Sequence, residues 1–125
     1  MYRRYGGFTL IELLVVMSIV ALLVAIVGPK YFSSIDRAKE AALKADLTLL
    51  REAIDKYQGD RAGYPATLSV LVEERYIRSI PIDPLTESNQ SWILVRPPNN
   101  GGDGVYDVKS GSAAVGLNGT PYADW

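Results

Sequence analysis

The fold is decided by an apolar run at Phe8–Val27, which reads FTLIELLVVMSIVALLVAIV. Glu12 is the one charged residue in this run. A helix rises about 1.5 Å per residue, so a run of this length covers the roughly 30 Å hydrocarbon core of a bilayer. The run therefore predicts a transmembrane helix near the amino terminus.

The residues before this run predict its orientation. Arg3 and Arg4 precede it without balancing acids, and flanking basic residues favour the cytoplasmic side of the membrane. We expect a cytoplasmic amino terminus, a single crossing and an extracytoplasmic remainder. A secretory signal peptide fits poorly, because the apolar run is too long and no small-x-small cleavage site follows it. A plain signal anchor remains the alternative on composition alone.

Composition narrows the function classes. The length of 125 residues predicts one domain, and the formal net charge of −1 implies no general affinity for nucleic acid. The sequence contains no cysteine and no histidine. Disulfides, thiolate and imidazole metal ligands, and catalytic arrangements that need either residue are therefore excluded.

The apolar pattern changes after Val27. Gly28-Pro29 predicts a kink or a short unwound stretch, because proline lacks an N–H and clashes with the preceding turn. Helical periodicity then resumes, and with Gly59 as terminator the pattern predicts one helix of about fifty residues. The second half is amphipathic, and its apolar stripe comprises Ile35, Leu43, Leu47, Leu50, Ile54 and Tyr57.

The rest of the chain has short elements separated by turn signals. Thr67 is a candidate cap for a short helix that extends through Arg75. Two strands are predicted at Ser91–Arg96 and Gly104–Ser110, joined by a link rich in proline, asparagine and glycine. The sequence thus predicts an α+β fold, in which a long N-terminal helix packs on a small antiparallel sheet with a loop-rich C-terminus.

Glu12 is the candidate functional residue of the apolar run. A lone carboxylate inside a membrane helix costs on the order of 2.5–3.5 kcal/mol, so such residues usually have a partner charge. Cleavage between Gly7 and Phe8 would create an ammonium group on Phe8, and Glu12 could meet that group on its own chain or on a neighbouring copy. Alternatively, Glu12 lies at headgroup level and needs no partner.

The stretch GFTLIELLVVMSIVALLVAIVGPKY resembles the class III signal and N-terminal helix of type IV pilins and type II secretion pseudopilins. Further along, YIRSIPIDP at Tyr76–Pro84, YDVKSG at Tyr106–Gly111 and the closing Asp124-Trp125 resemble the major pseudopilins of type II secretion. Larger type IV pilins usually carry a C-terminal disulfide loop, which this chain cannot form.

The resemblance implies a domain organisation and a processing route. Residues 1–7 would be a leader removed by prepilin peptidase, which also methylates the Phe8 amine. Residues 8–28 would be the transmembrane and filament-core helix, and residues 29–125 the periplasmic domain, including the amphipathic half of the helix. Glu12, Gly28 and Pro29 would then be assembly residues.

The resemblance also implies a structural function rather than an enzymatic one. The subunit would wait in the bacterial inner membrane and then join a periplasmic filament that drives protein export. Its partners would be copies of itself, prepilin peptidase, an inner-membrane assembly platform with its ATPase, and minor pseudopilins. A surface type IV pilus subunit is the alternative.

A single-pass membrane sensor or enzyme is a more remote alternative. Its candidate acid–base pairs are Asp103 with Asp107 and Glu73 with Glu74. These carboxylates fall on predicted turns and faces, where solvated charge is the usual state, and nothing in the sequence resembles a nucleophile with its base.

The C-terminal loop departs from the family. Major pseudopilins commonly hold calcium there, with several aspartates and backbone carbonyls just before the final tryptophan. Here the loop Ser112–Ala123 reads SAAVGLNGTPYA, and Asp124 and Asn118 are the candidate ligands. Calcium takes six to eight oxygens and binds weakly charged sites poorly. Calcium binding is therefore expected to be weak or absent, and Asn118-Gly119 would then be a simple turn.

Something other than a metal ion must then hold the tail. We expect Tyr122 and Trp125 to anchor it by packing on the predicted sheet, because burying an aromatic side chain contributes roughly 1.5–3 kcal/mol. The residues expected to form that surface are Ile93, Val95, Val105 and Val108.

Overall fold

The computed structural model describes residues 7–99 and 101–125. The chain divides into two compact units, Met1–Ile35 and Asp36–Trp125, and the first helix contributes residues to both. The predicted α+β fold with a long N-terminal helix and a small antiparallel sheet is confirmed. In chain order the elements are α1 (Leu10–Arg61), α2 (Leu68–Glu73), β1 (Ile93–Val95), β2 (Asp107–Lys109) and a 3-10 turn (Tyr122–Asp124).

The first part of α1 is long and apolar enough to cross a membrane, judged by length and composition. Its large apolar side chains are exposed, Leu10 by 74%. Helix α1 continues through Gly28 and Pro29 without interruption. The unwound stretch expected there is therefore not present in the subunit, although Pro29 still denies the carbonyl of Ala25 its usual donor. A bend at this pair stays a prediction.

The second half of α1 supplies one wall of the core. The predicted apolar stripe is confirmed at Leu43, Leu47, Leu50 and Ile54, which are buried, whereas Ile35 and Tyr57 remain half-exposed at its two ends. The core side chains contributed by the rest of the second unit are Leu68, Leu71, Ile77, Trp92, Val105, Val108 and Tyr122.

Helix α1 ends two residues later than predicted, and glycine does not end it. Gly59 is helical, and α1 extends to Arg61. The next residue, Ala62, has a φ of 54° and donates its N–H to the carbonyl of Gln58 at 2.8 Å. Ala62 thus takes the left-handed position that glycine usually occupies at a helix end.

Helix α2 is shorter than predicted and ends at Glu73 rather than Arg75. Thr67 occupies the N-cap position with an extended backbone, but its side chain makes no capping hydrogen bond. Arg75 instead has a φ of 63°, and the N–H of the following Tyr76 donates to the carbonyl of Leu71 at 2.9 Å. This left-handed turn brings the chain back toward the core.

The sheet is a two-stranded antiparallel ribbon in which Leu94 pairs with Val108. Both strands are shorter than predicted. Val105 and Val108 are buried as expected. Ile93 is 50% exposed, so the prediction that it forms part of the surface beneath the tail is wrong. The large buried side chain here is Trp92, whose Nε1 donates to the carbonyl of Pro81 at 2.8 Å.

A buried carboxylate organises the loop before the sheet. Asp83 is fully buried, and its Oδ2 accepts hydrogen bonds from Ser110 Oγ at 2.6 Å and from the Gly111 N–H at 3.2 Å. Its Oδ1 accepts from the Leu85 N–H at 2.9 Å. Three donors on one carboxylate offset the loss of hydration that burial imposes. Asp83 thereby fixes the Pro81–Pro84 loop to the end of β2.

Candidate processing and assembly site, and the C-terminal anchor

The predicted cleavage point lies in backbone that is not helical. Residues Met1–Gly6, most of the predicted leader, lie outside the described residues. Gly7, Phe8 and Thr9 precede α1, which begins at Leu10. Proteases act most readily on exposed, irregular backbone. The Gly7–Phe8 bond is therefore placed where a peptidase can reach it, and cleavage and methylation at Phe8 stay predictions.

Thr9 and Glu12 cap the start of α1 reciprocally. The Glu12 N–H donates to Thr9 Oγ1 at 3.1 Å, and the Thr9 N–H donates to Glu12 Oε2 at 3.4 Å. Together these contacts form a capping box, which satisfies two donors that the helix leaves unpaired. We did not predict this box from the sequence, although Thr9-x-x-Glu12 is its usual signature.

The capping box changes what Glu12 requires. Its carboxylate points back toward the Thr9 amide, one residue from the atom that becomes the Phe8 ammonium after cleavage. The Thr9 N–H is thus a third way to satisfy Glu12, besides the predicted ammonium partner and the predicted headgroup position. The role of Glu12 in assembly remains a prediction.

Gly28 has no packing role within the subunit. A Cβ built there would meet no atom within 4 Å, so alanine would fit this position in the described structure. Glycine in a helix costs roughly 0.5–1 kcal/mol relative to alanine. The use of glycine next to Pro29 therefore has no explanation in the packing of the isolated chain.

A carboxylate on α1 contacts the C-terminal loop at two points. Glu40 Oε1 accepts the N–H of Leu117 at 2.7 Å and the hydroxyl of Tyr122 at 2.8 Å. The hydrogen bond from Leu117, and then that from Tyr122, lowers the pKa of Glu40 below 4.5. Burial, together with Glu40, raises the pKa of Tyr122 to about 12. Nothing in the sequence pattern indicated that Glu40 is more than a solvent-exposed charge on α1.

Trp125 closes the same loop. Its ring meets the Tyr122 ring edge-on with centroids 4.9 Å apart, and Lys44 Nζ lies 5.0 Å from its centroid. Its main-chain oxygen accepts from Arg51 Nη2 at 2.7 Å and from Lys109 Nζ at 2.9 Å. Tyr122 and Trp125 do anchor the tail, but they do so against α1 and β2 rather than against the expected face of Ile93 and Val95.

Arg51 joins three parts of the second unit. Its Nε donates to Asp107 Oδ1 at 2.8 Å, and its Nη2 reaches the carbonyl of Val108 at 3.1 Å as well as Trp125. One guanidinium thus connects α1, β2 and the closing loop. The planar fork of arginine suits several acceptors at once.

The two candidate calcium ligands, Asn118 and Asp124, differ in their surroundings. Asn118 Oδ1 accepts the N–H of Thr120 at 3.0 Å, and Gly119 follows with a φ of 85°, which makes this segment a turn. Asp124 is exposed on the 3-10 turn. Within residues 7–99 and 101–125, no three aspartate or glutamate residues are grouped to hold a metal ion. The donor set of this loop does not fit calcium, which takes six to eight oxygens.

The candidate acid–base carboxylates contact arginine side chains or solvent. The side chain of Asp103 is 98% exposed and lies 3.8 Å from Arg96, whereas Asp107 pairs with Arg51. Glu74 pairs with Arg61 at 2.6 Å. Ion pairing and solvent account for these groups, as is usual for surface carboxylates.

The fold and the N-terminal site define a type IV pilin-like subunit, with an apolar helix that precedes a small α+β domain. Residues 2–28 match the family model described as "Prokaryotic N-terminal methylation motif". Relatives are similar well beyond this motif. The type II secretion system core protein G of Pseudomonas aeruginosa is 35% identical over 98 residues, which cover 66% of this chain and 69% of the relative.

Two further relatives extend the similarity over most of the chain. The core protein G of Escherichia coli (strain K12) is 32% identical over 123 residues, covering 86% of this chain and 81% of the relative. That of Klebsiella pneumoniae is 30% identical over 122 residues, covering 85% of each. The chain belongs to the type II secretion system core protein G family, the major pseudopilins. No solved structure gives a significant match.

Proposed function

We propose that this chain is the repeating structural subunit of a filament that drives protein export by type II secretion. The observation that carries the proposal is the similarity to core protein G across 81% of a relative's length, from the N-terminal motif into the α+β domain. A match to the motif alone would leave the surface pilus alternative open. The absence of cysteine also disfavours a large pilin with a disulfide-closed loop.

The chemistry of α1 supports assembly as the mechanism. The large apolar side chains of Phe8–Val27 are all exposed in the isolated subunit. Such a surface needs lipid or other apolar helices around it, because water would otherwise order over it. In the inner membrane, lipid covers this surface. In the filament, helices of neighbouring copies replace the lipid, so the apolar surface stays covered throughout.

Processing prepares the subunit for this transfer. Prepilin peptidase removes Met1–Gly7 and methylates the new amine of Phe8. The resulting ammonium pairs with Glu12 of an adjacent copy, so neither charge is left alone among apolar helices. The assembly platform with its ATPase and the minor pseudopilins act on the processed subunit, whose C-terminal unit lies in the periplasm. The chain itself contributes binding surfaces and no catalytic group.

Deletion of the gene and complementation test the export role. A deletion strain should stop releasing type II secretion substrates into the medium, and the unmodified gene should restore release. Surface piliation should be unchanged in both strains, which serves as the internal control. Loss of surface pili with normal export would contradict the proposal and support the pilus alternative.

A further inference from the structure

The closing segment Ser112–Trp125 has little regular structure to fix its position. It contains one isolated bridge between Val115 and Pro121 and the 3-10 turn at Tyr122–Asp124. Fixing such a backbone costs roughly 1–2 kcal/mol per residue in conformational entropy. The segment therefore needs contacts outside itself, and Glu40 supplies two of them.

The polarity of these contacts is opposite to that of a metal site. A calcium site gathers oxygen acceptors around a cation. Here the loop presents donors, the N–H of Leu117 and the hydroxyl of Tyr122, and both converge on one oxygen of Glu40. A cation in this place would face two hydrogens rather than two lone pairs.

The charges around the end of the loop lead to the same conclusion. Lys44 lies against the Trp125 ring, and Arg51 and Lys109 both donate to the Trp125 main-chain oxygen. Three cationic side chains thus contact Trp125, although Arg51 and Lys109 also pair with Asp107. The acceptor oxygen of Trp125 is therefore already occupied by side-chain donors of this chain, as Glu40 is by donors of the loop.

We propose that Glu40 replaces calcium as the anchor of the C-terminal loop in this chain. A carboxylate on α1 binds loop donors, whereas a cation in that place would need loop acceptors. Here the subunit reaches its folded state without a metal ion. The inference concerns the loop alone and does not depend on the export role.

Thermal unfolding of the full-length subunit in detergent micelles tests this inference. Glu40→Ala removes the oxygen that accepts both hydrogen bonds and should lower the Tm of the C-terminal unit by about 4–8 °C. Glu52→Ala is the matched control, because Glu52 is an exposed glutamate on the same helix, so both changes alter helix propensity equally. Each protein is measured in millimolar calcium and in excess chelator.

A second pair of variants keeps the test specific to the loop. Glu40→Gln retains an oxygen acceptor and should lose less than Glu40→Ala. Tyr122→Phe removes one donor, and its effect should shrink when Glu40 is already alanine, because the two side chains share one hydrogen bond. Chelator should change none of these Tm values.

Two results would overturn the inference. One is a Tm of the unmodified subunit that falls by several degrees in chelator, because a metal ion would then hold the loop. The other is a Glu40→Ala variant that unfolds at the same temperature as Glu52→Ala, because Glu40 would then contribute nothing to the anchor.

Discussion

Glu12 and Glu40 are both glutamates on α1, yet their surroundings give them different tasks. Glu12 accepts the N–H of Thr9 at the first turn, beside the amine that processing would create. Glu40 accepts two donors from a segment almost eighty positions away in sequence, since Leu117 is 77 residues beyond it. The contact with Thr9 was missed, although Thr9-x-x-Glu12 is a local pattern that predicts it. The role of Glu40 depends on how the loop folds back, which no local pattern encodes.

Replacement of Glu12 separates membrane insertion from assembly. We expect Glu12→Ala to insert and to be cleaved normally, because one carboxylate fewer makes the apolar run easier to insert. Filament yield should fall at least tenfold, because each copy would bury an unpaired ammonium. Quantitative immunoblots of membrane and sheared-filament fractions measure both. Glu52→Ala is the control, and normal filament yield from Glu12→Ala would support the headgroup position instead.

Tyr122 should make the stability of the folded subunit depend on pH in the alkaline range. Its pKa rises from 10.0 to about 12 on folding, so the neutral phenol is favoured in the folded state. The resulting stabilisation is complete below pH 10 and is lost as pH rises toward 12. The groups facing this hydroxyl are Glu40 and Asp36, with Lys44 beside Glu40.

The measurement is the difference in Tm between the unmodified subunit and Tyr122→Phe across pH 8–12. The other tyrosines and the lysines titrate alike in both proteins, so their contributions cancel in this difference. We expect the difference to be constant up to about pH 10 and then to shrink. A difference independent of pH would show that Tyr122 titrates normally.

At the scale of elements, the spacing of apolar residues predicted which face of α1 is buried. The stripe from Leu43 to Ile54 follows from three- and four-residue spacing, and it is buried as expected. The end of α1 was missed because Ala62 adopts a left-handed conformation that its residue type disfavours. The inward face of the ribbon was missed because Trp92, just before β1, fills the space expected for Ile93. Such outcomes depend on tertiary packing, which overrides strand propensity.

Arg51 is the side chain that links these elements, and its loss should be felt across them. Arg51→Met keeps most of the apolar stem but removes donors to Asp107, Val108 and Trp125. We expect the free energy of unfolding to fall by about 1.5–3 kcal/mol, the usual contribution of hydrogen bonds to charged groups. Chemical denaturation of the subunit in detergent measures this change.

Arg51→Lys provides the matched comparison, because it keeps the charge but loses the fork that reaches several acceptors. It should recover only part of the lost stability. Full recovery by lysine would show that charge alone matters at this position, and an unchanged free energy in Arg51→Met would show that the three contacts contribute nothing net.

At the scale of the whole molecule, the N-terminal part of the chain has features that the folding of the isolated subunit does not require. Residues 8–27 expose an apolar surface that the chain does not cover itself, and Gly28 leaves room for a side chain that it lacks. Both features make sense when the partner of the helix is another copy of the chain. An assembly role for these residues stays a prediction, and the family's N-terminal motif, which covers residues 2–28, supports it.

Gly28 and Pro29 allow stability and assembly to be measured separately. Gly28→Ala should stabilise α1 in the subunit by roughly 0.5–1 kcal/mol, because alanine loses less backbone entropy and nothing lies within 4 Å of its Cβ. If the helix must bend or melt at this pair when it leaves the membrane, the same change should reduce filament yield. Subunit stability by thermal unfolding and filament yield by shearing should therefore move in opposite directions.

Ala45→Gly is the reciprocal control, placed on an exposed face of the same helix, and it should lower stability without a specific assembly defect. Normal filament yield from Gly28→Ala, alone or combined with Pro29→Ala, would show that the unbroken helix of the subunit enters the filament unchanged.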